Sequence, residues 1–166
     1  MAQRIPRDVD WQKFYAALER LGVSIPEQAE GDAVDLAMVA RLLVRVQNNR
    51  AKLDSVVRKL DRSIAVLRRN ITLKTEERRL RRLDARRSDE IMRLPNKEQR
   101  DAAVEDVVQI ISAQIAILNA RCDDYAAARA SAEGMLKTLQ TAKETLNSLK
   151  NIGLEDADAS QSYHSR

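Results

Sequence analysis

The fold is decided by residues 36–71, LAMVARLLVRVQNNRAKLDSVVRKLDRSIAVLRRNI. Steps of three and four residues alternate through eleven positions of this stretch, and ten of the eleven are apolar: Leu36, Val39, Leu43, Val46, Arg50, Leu53, Val57, Leu60, Ile64, Leu67 and Ile71. This alternation is typical of the seam of a left-handed coiled coil and predicts one long helix. Arg50 is the polar seam position. We expect it either to specify register or oligomeric state, or to extend its stem toward solvent.

A second long helix is predicted after Pro95, because Asn96 followed by Gln99 is a variant of the capping box. Its seam slips by one position near the middle, as expected when a straight helix follows a heptad repeat. Alanines in this seam allow close approach of a second helix, and Gly153 is predicted to end the helix. The seam residues are Val104, Val108, Ile111, Ile115, Leu118, Cys122, Tyr125, Ala128, Ala132, Met135, Leu139, Ala142, Leu146 and Leu149.

Between the two seams the apolar pattern weakens. After Ile71 the next three positions of the first seam are occupied by basic residues, namely Lys74, Arg78 and Arg81. A weaker apolar frame begins two residues after Ile71 and runs through Leu73, Leu80, Ile91 and Leu94, with Leu83 beside it. We expect the first helix to continue here with poor packing until Pro95 breaks it.

Two long helices joined by a short turn containing proline predict an all-α fold, a long antiparallel helical hairpin that resembles a coiled coil. The predicted hairpin covers residues 33–153, with its bend near 94–97. One seam leaves flanking apolar residues uncovered: Val56, Val66, Val107, Ile110 and Ile117. We therefore expect a homo-oligomer, an oligomeric bundle with three or more long helices in cross-section, whose subunit number the sequence does not give.

A short helix and its connector are predicted over residues 1–32, and a disordered tail over residues 154–166, which contains the single histidine, His164. Asp8 is the expected N-cap of the short helix, Gly22 its end, and Asp32 the expected cap of the long helix. One face of the short helix is apolar: Trp11, Phe14, Tyr15 and Leu18. That face either docks onto the bundle or another subunit, or it stacks on bases or anchors a partner protein.

Composition excludes several classes of protein. Aromatic residues make up only 3% of the 166 residues, with 4 Gly and 3 Pro, which suits long helices rather than a many-stranded sheet or a large globular core. No apolar stretch could span a bilayer, so a soluble cytoplasmic protein is expected, in the host cytoplasm if the chain is viral. The spacing of His, Cys, Asp and Glu fits no metal site, and no pattern fits a phosphate-binding loop or a catalytic triad. We expect no enzyme activity and no cofactor. Cys122 is expected to be a small core residue rather than a nucleophile.

Positive charge is concentrated in the middle of the chain. Residues 41–100 carry 19 basic and 8 acidic side chains, whereas acidic residues predominate before and after this segment. Within residues 68–87 lie nine basic side chains against three acidic ones: Arg68, Arg69, Lys74, Arg78, Arg79, Arg81, Arg82, Arg86 and Arg87. Eight of the nine are arginine, which favours bidentate phosphate contacts and stacking over simple solubilisation. Because aromatic residues are absent from this block, binding to nucleic acid should be directed at the backbone and be sensitive to salt.

The basic first helix and the segment Leu94-Pro95-Asn96-Lys97-Glu98-Gln99-Arg100-Asp101, followed by a long amphipathic helix, resemble phage recombination mediators of the UvsY type. The resemblance covers about residues 36–150. It implies a ring-like or other homo-oligomer that presents basic helices to single-stranded DNA and contacts a RecA-like recombinase and a single-strand-binding protein. The DNA-facing set would be Arg78, Arg79, Arg81, Arg82, Arg86 and Arg87. The chain departs from the family in lacking aromatic residues at the end of its first helix.

A second hypothesis stays open. The chain could be a structural or adaptor coiled coil, such as a phage assembly chaperone or scaffold, that binds protein only. In that case the arginines would pair with acidic side chains across the turn or within the oligomer, the candidates being Asp101, Glu105 and Asp106.

Overall fold

The computed structural model describes residues 9–26 and 33–164. Over these residues the chain forms four α-helices and no strand: α1 (Trp11–Glu19), α2 (Leu36–Arg86), α3 (Asp89–Met92) and α4 (Lys97–His164). The two long helices, α2 and α4, pack against each other, which confirms the all-α hairpin preceded by a short helix.

Contacts divide the chain into two compact units. The first, called here the bend unit, comprises residues 60–127 of the described chain and contains the end of α2, α3 and the start of α4. The second, called the terminal unit, comprises residues 9–26, 33–59 and 128–164 of the described chain, and contains α1, the start of α2 and the remainder of α4.

The predicted seams form the core of both units. In the bend unit, α2 buries Leu60, Ile64 and Leu67 against Val104, Val108, Ile111, Ile115, Leu118 and Tyr125 of α4. In the terminal unit, α2 buries Val39, Val46 and Leu53, and α4 buries Ala128, Ala132, Leu139, Ala142 and Leu146. The buried positions of α4 reproduce the predicted slip between Tyr125 and Ala128. Cys122 lies half-buried at its seam position.

Helix α4 does not end at Gly153, so that prediction is wrong. It continues to His164, and residues 154–164, predicted to be disordered, are helical, whereas Ser165 and Arg166 lie outside the described residues. Gly153 is buried four residues after Leu149, at the next position of the seam. A Cβ atom added there would lie 2.9 Å from Val34 Cβ and 2.8 Å from Leu36 Cδ2. The missing side chain therefore serves close packing in mid-helix rather than helix termination.

Helix α1 is capped by Asp10, whose Oδ1 accepts a hydrogen bond from the Lys13 amide (3.1 Å). The predicted cap, Asp8, lies outside the described residues. The Lys13 amide and then its ammonium group lower the pKa of Asp10. Of the apolar face of α1, Leu18 is buried, and three half-buried rings make edge-to-face contacts: Trp11, Phe14 and Tyr15.

Polar side chains fix elements of the terminal unit to one another. The buried Asn49 of α2 donates from Nδ2 to the carbonyl oxygen of Leu21, just after α1 (2.8 Å). Arg50, the polar seam residue, donates from Nη1 to Gln140 Oε1 of α4. The guanidinium is thus held inside the seam by a specific partner, which is the arrangement that fixes register between two helices.

The start and the end of α2 differ from the predicted positions, whereas the start of α4 agrees with its prediction. Asp35 caps α2 by accepting from the Met38 amide (3.0 Å), whereas Asp32 lies outside the described residues. Helix α2 ends at Arg86 and not near Pro95, because Ser88 adopts an extended backbone before the four-residue α3. The predicted cap of α4 is confirmed, since Asn96 Oδ1 accepts from the Gln99 amide (2.8 Å).

Candidate nucleic-acid interface

All nine basic residues of the block lie in the bend unit, eight within α2 and Arg87 directly after it. The helix keeps most of its first seam frame past Ile71, with Lys74 and Arg78 half-buried and Ala85 buried, whereas Arg81 of that frame is exposed. The weaker frame at Leu73 and Leu80 does not pack, and these leucines are 59% and 54% exposed. The side of a continuous helix that faces its partner cannot change within a few residues. The residues upstream of Ile71 therefore decide which side of α2 faces α4, even where apolar residues lie on another side.

Four arginines of α2 share one side of the bend unit with two threonines. Each of these residues directly follows a seam position, which places them on one stripe with steps of three and four residues: Arg68, Thr72, Thr75, Arg79, Arg82 and Arg86. The threonine hydroxyls donate to backbone carbonyls one turn earlier, at 3.1 Å and 2.8 Å. The side chains that project from this arginine stripe are therefore mainly guanidinium groups.

Three of the nine basic residues form ion pairs. Lys74 pairs with Glu77 (2.7 Å) and Arg79 with Glu76 (2.9 Å), both within α2. Arg82 reaches across the seam to Glu105 of α4, and its Nε, which is shielded from solvent, has no acceptor among the described residues. Exposed pairs of this kind contribute at most about 1 kcal/mol each.

The other six arginines form no ion pair with any residue in the described part of the chain: Arg68, Arg69, Arg78, Arg81, Arg86 and Arg87. Five of the six are exposed and Arg78 is half-buried. Of the three acidic residues considered for pairing across the turn, only Glu105 is engaged by an arginine of the block. Most of the positive charge is thus not neutralised within the described part of one chain.

The bend adds a basic residue that the sequence did not single out. A cavity of about 280 Å³ lies between the end of α2, α3 and the first turns of α4, lined by Arg86, Ile91, Met92, Arg100, Asp101 and Val104. Arg100 was not predicted because it follows Arg86 by fourteen residues. The turn at Pro95 brings the two residues to the same cavity, and only a folded bend could reveal this.

The second predicted set, Trp11, Phe14, Tyr15 and Leu18, belongs to the terminal unit, whereas the arginines belong to the bend unit. Among residues 9–26 and 33–164, no three His, Cys, Asp or Glu side chains are grouped closely enough to hold a metal ion. None of the described helices combines the length and the apolar character needed to cross a membrane.

Comparison of the chain with protein-family models, with curated proteins and with solved structures gives no match. The resemblance to recombination mediators of the UvsY type therefore stays a prediction from the sequence.

Proposed function

We propose that the chain binds single-stranded DNA through the arginines of residues 68–87 and acts as a recombination mediator that helps load a RecA-like recombinase. The observation that carries the DNA-binding part is the excess of uncompensated charge: six arginines of residues 68–87 have no acidic partner among the described residues. Guanidinium groups that lack an internal partner are ready to bind phosphate in a bidentate manner.

The mode of binding follows from the residue types at this surface. No aromatic residue occurs between Tyr15 and Tyr125, so this segment offers no aromatic side chain on which bases could stack. Phosphate contacts carry no sequence information, and affinity built on them falls steeply with salt. A flexible single strand can follow arginines that are distributed along one helix, which favours it over a stiff duplex.

Two further parts of the proposal rest on the resemblance in sequence. Contacts with the recombinase and with single-strand-binding protein would require a surface other than the arginine stripe, and the apolar face of α1 is the predicted docking set. A homo-oligomer would place several arginine surfaces on one strand, which raises affinity through effective concentration without any new contact.

A second candidate function is an adaptor coiled coil that binds protein only. The ion pair between Arg82 and Glu105 favours it, because that pair uses one arginine of the block to join α2 to α4. On this hypothesis the remaining arginines would be neutralised by acidic side chains of other proteins, and DNA would not bind at moderate salt.

Binding of a labelled single-stranded oligonucleotide, measured by fluorescence anisotropy across a salt series, tests the proposal. The variant replaces four exposed, unpaired residues by glutamine: Arg68, Arg81, Arg86 and Arg87. The matched control makes the same charge change on exposed basic residues of α2 in the terminal unit: Arg41, Arg45, Arg58 and Lys59. Glutamine retains helix propensity, so loss of the helix should not confuse the result.

We expect the wild-type chain and the control to bind with similar affinity, and the variant to bind more weakly. If each arginine contacts one phosphate, the slope of log K against log salt should fall by about 0.7 per residue, or about 3 in total. Equal affinity of the variant and the control would refute the assignment of DNA binding to this block.

A further inference from the structure

The cavity at the bend combines apolar and charged side chains from three helices of the bend unit. Its volume of about 280 Å³ is close to the lower end of the range for ligand pockets, which is about 300–1,000 Å³. Ile91 and Met92 of α3 and Val104 of α4 supply its apolar wall. Val104 is buried and Ile91 half-buried, whereas Met92 is 60% exposed. Part of the apolar wall is therefore accessible to a ligand.

The charged side chains of this cavity have no partner within the described chain. They are Arg86, at the end of α2, and Arg100 and Asp101, in the first turns of α4. All three are exposed, and none forms an ion pair or a side-chain hydrogen bond with a described residue. The cavity thus offers two guanidinium groups as donors and one carboxylate as an acceptor, with a net positive charge.

This combination of groups determines which ligand fits. A free phosphate ion would leave the apolar wall uncovered and would be repelled by Asp101. An apolar peptide segment would leave both guanidinium groups without an acceptor. A nucleotide of a single strand matches all three kinds of group. Its phosphate accepts from arginine, the face of its base covers aliphatic side chains, and an exocyclic amino group donates to the carboxylate.

The cavity is continuous with the arginines that are proposed to bind phosphate. Arg86 is one of the six unpaired arginines of residues 68–87, and it also lines the cavity. A strand bound along these arginines therefore reaches the cavity at the end of α2. The bases of a single strand are not paired, so the cost of turning one base into a pocket is low.

We infer that the bend cavity binds one nucleotide of the strand, with the phosphate at Arg86 and Arg100 and the base against Met92 and Val104. The inference rests on the proposed binding of single-stranded DNA and adds a contact with a base. Phosphate is the same in every nucleotide, so any preference between bases comes from the cavity. Asp101 favours the amino group of cytosine over the carbonyl oxygen O4 of thymine.

The first test compares a labelled strand of deoxycytidines with a strand of abasic residues that has the same number of phosphates, by fluorescence anisotropy. The variant is Met92→Gln, since an exposed side chain contributes little to the fold. The control is Ile110→Gln, because Ile110 is 73% exposed on α4 of the same unit and does not line the cavity. Circular dichroism checks that all three proteins keep the same helix content.

We expect the wild-type chain and the control to bind the deoxycytidine strand about fivefold to tenfold more tightly than the abasic strand, at the lower end of the range for a stacked base. Met92→Gln should lose most of this difference. Equal binding of both strands by the wild-type chain would overturn the inference and leave the proposed function standing, as would an unchanged preference in the variant. Binding to neither strand would refute both.

The second test concerns the phosphate contact of Arg100, which lies outside the arginine block. Arg100→Gln should weaken binding of both strands and lower the slope of log K against log salt by about 0.7. Arg93→Gln is the matched control, because Arg93 is exposed at the same bend, does not line the cavity and forms no ion pair with a described residue. The same slope for both variants would overturn the assignment of Arg100.

The third test concerns the contact between Asp101 and the base. We expect the wild-type chain to bind a deoxycytidine strand more tightly than a thymidine strand. Asp101→Asn should remove this preference, because an amide can also donate to O4 of thymine. The ratio of the two affinities is the readout, since removal of a negative charge strengthens binding of both strands. An unchanged ratio in the variant would overturn the role of Asp101.

Discussion

Replacement of Gly153 by alanine tests whether this glycine serves close packing within a continuing helix. The new Cβ would lie 2.9 Å from Val34 Cβ, an atom fixed to the backbone that cannot turn aside. Overpacking of a well-filled site costs about 1–3 kcal/mol. Alanine also favours the helix over glycine by about 1 kcal/mol. The two effects oppose each other, so a single variant would not separate them.

Gly134 provides the matched control. It lies in the same helix and the same unit, but a Cβ added there meets no atom within 4 Å. Gly134→Ala should therefore show the gain in helix propensity alone, a stabilisation of about 1 kcal/mol. The difference between the two variants isolates the steric cost at Gly153, which we expect to be about 1–3 kcal/mol.

The assay is urea denaturation of both variants and the wild-type chain, followed by circular dichroism at a helix band. We expect the midpoint to rise for Gly134→Ala, and that of Gly153→Ala to lie clearly below it. Equal stabilisation by both substitutions would refute the reasoning. It would mean that α4 does not pack against Val34 at this point and that Gly153 has a different role.

Three further outcomes are expected. Asn49→Ala removes the donor that binds the carbonyl of Leu21, just after α1, at a cost of about 1–3 kcal/mol. Because Trp11 lies in α1, its emission should shift at a lower denaturant concentration than the loss of helix content. Coincident transitions of the two signals would contradict this. Asn96→Ala should destabilise the chain by about 1 kcal/mol by thermal melting, and Asn96→Asp should not. Because the pKa of Asp10 is lowered from 3.8, the carboxylate stabilises α1 fully above pH 3.8, and this stabilisation is lost as the pH falls through the lowered pKa. The emission of Trp11, which lies in α1, should change over the same pH range. Asp10→Asn should abolish that change.

The core of the hairpin was predictable from the sequence because burial in paired helices imposes a strict period. Every seam position predicted between Leu36 and Ile71, and between Val104 and Leu149, is buried or half-buried. The slip in the second seam was also predictable, since buried side chains must follow the side of the helix that faces its partner. The N-cap of α4 at Asn96 could be predicted from the sequence because it depends only on two residues that are three positions apart.

Local signals misled where a tertiary contact decided the outcome. Gly153 has the chemistry of a helix end, but Val34 and Leu36 pack against it and the helix continues. Leu73 and Leu80 read as a second packing frame, but the upstream seam had already fixed the rotation of α2. Asn49 was not singled out, because its partner is the carbonyl of Leu21, twenty-eight residues earlier.

The sequence by itself therefore determined that this protein consists of two long helices packed along heptad seams, with arginine concentrated near their bend. Periodicity and charge are properties of neighbouring residues, so they can be read along the chain. Only the tertiary structure decided which arginines have acidic partners, and that Leu73 and Leu80 stay exposed instead of packing. Those properties depend on how the seam of α2 is oriented against α4, and no local stretch of sequence contains that information.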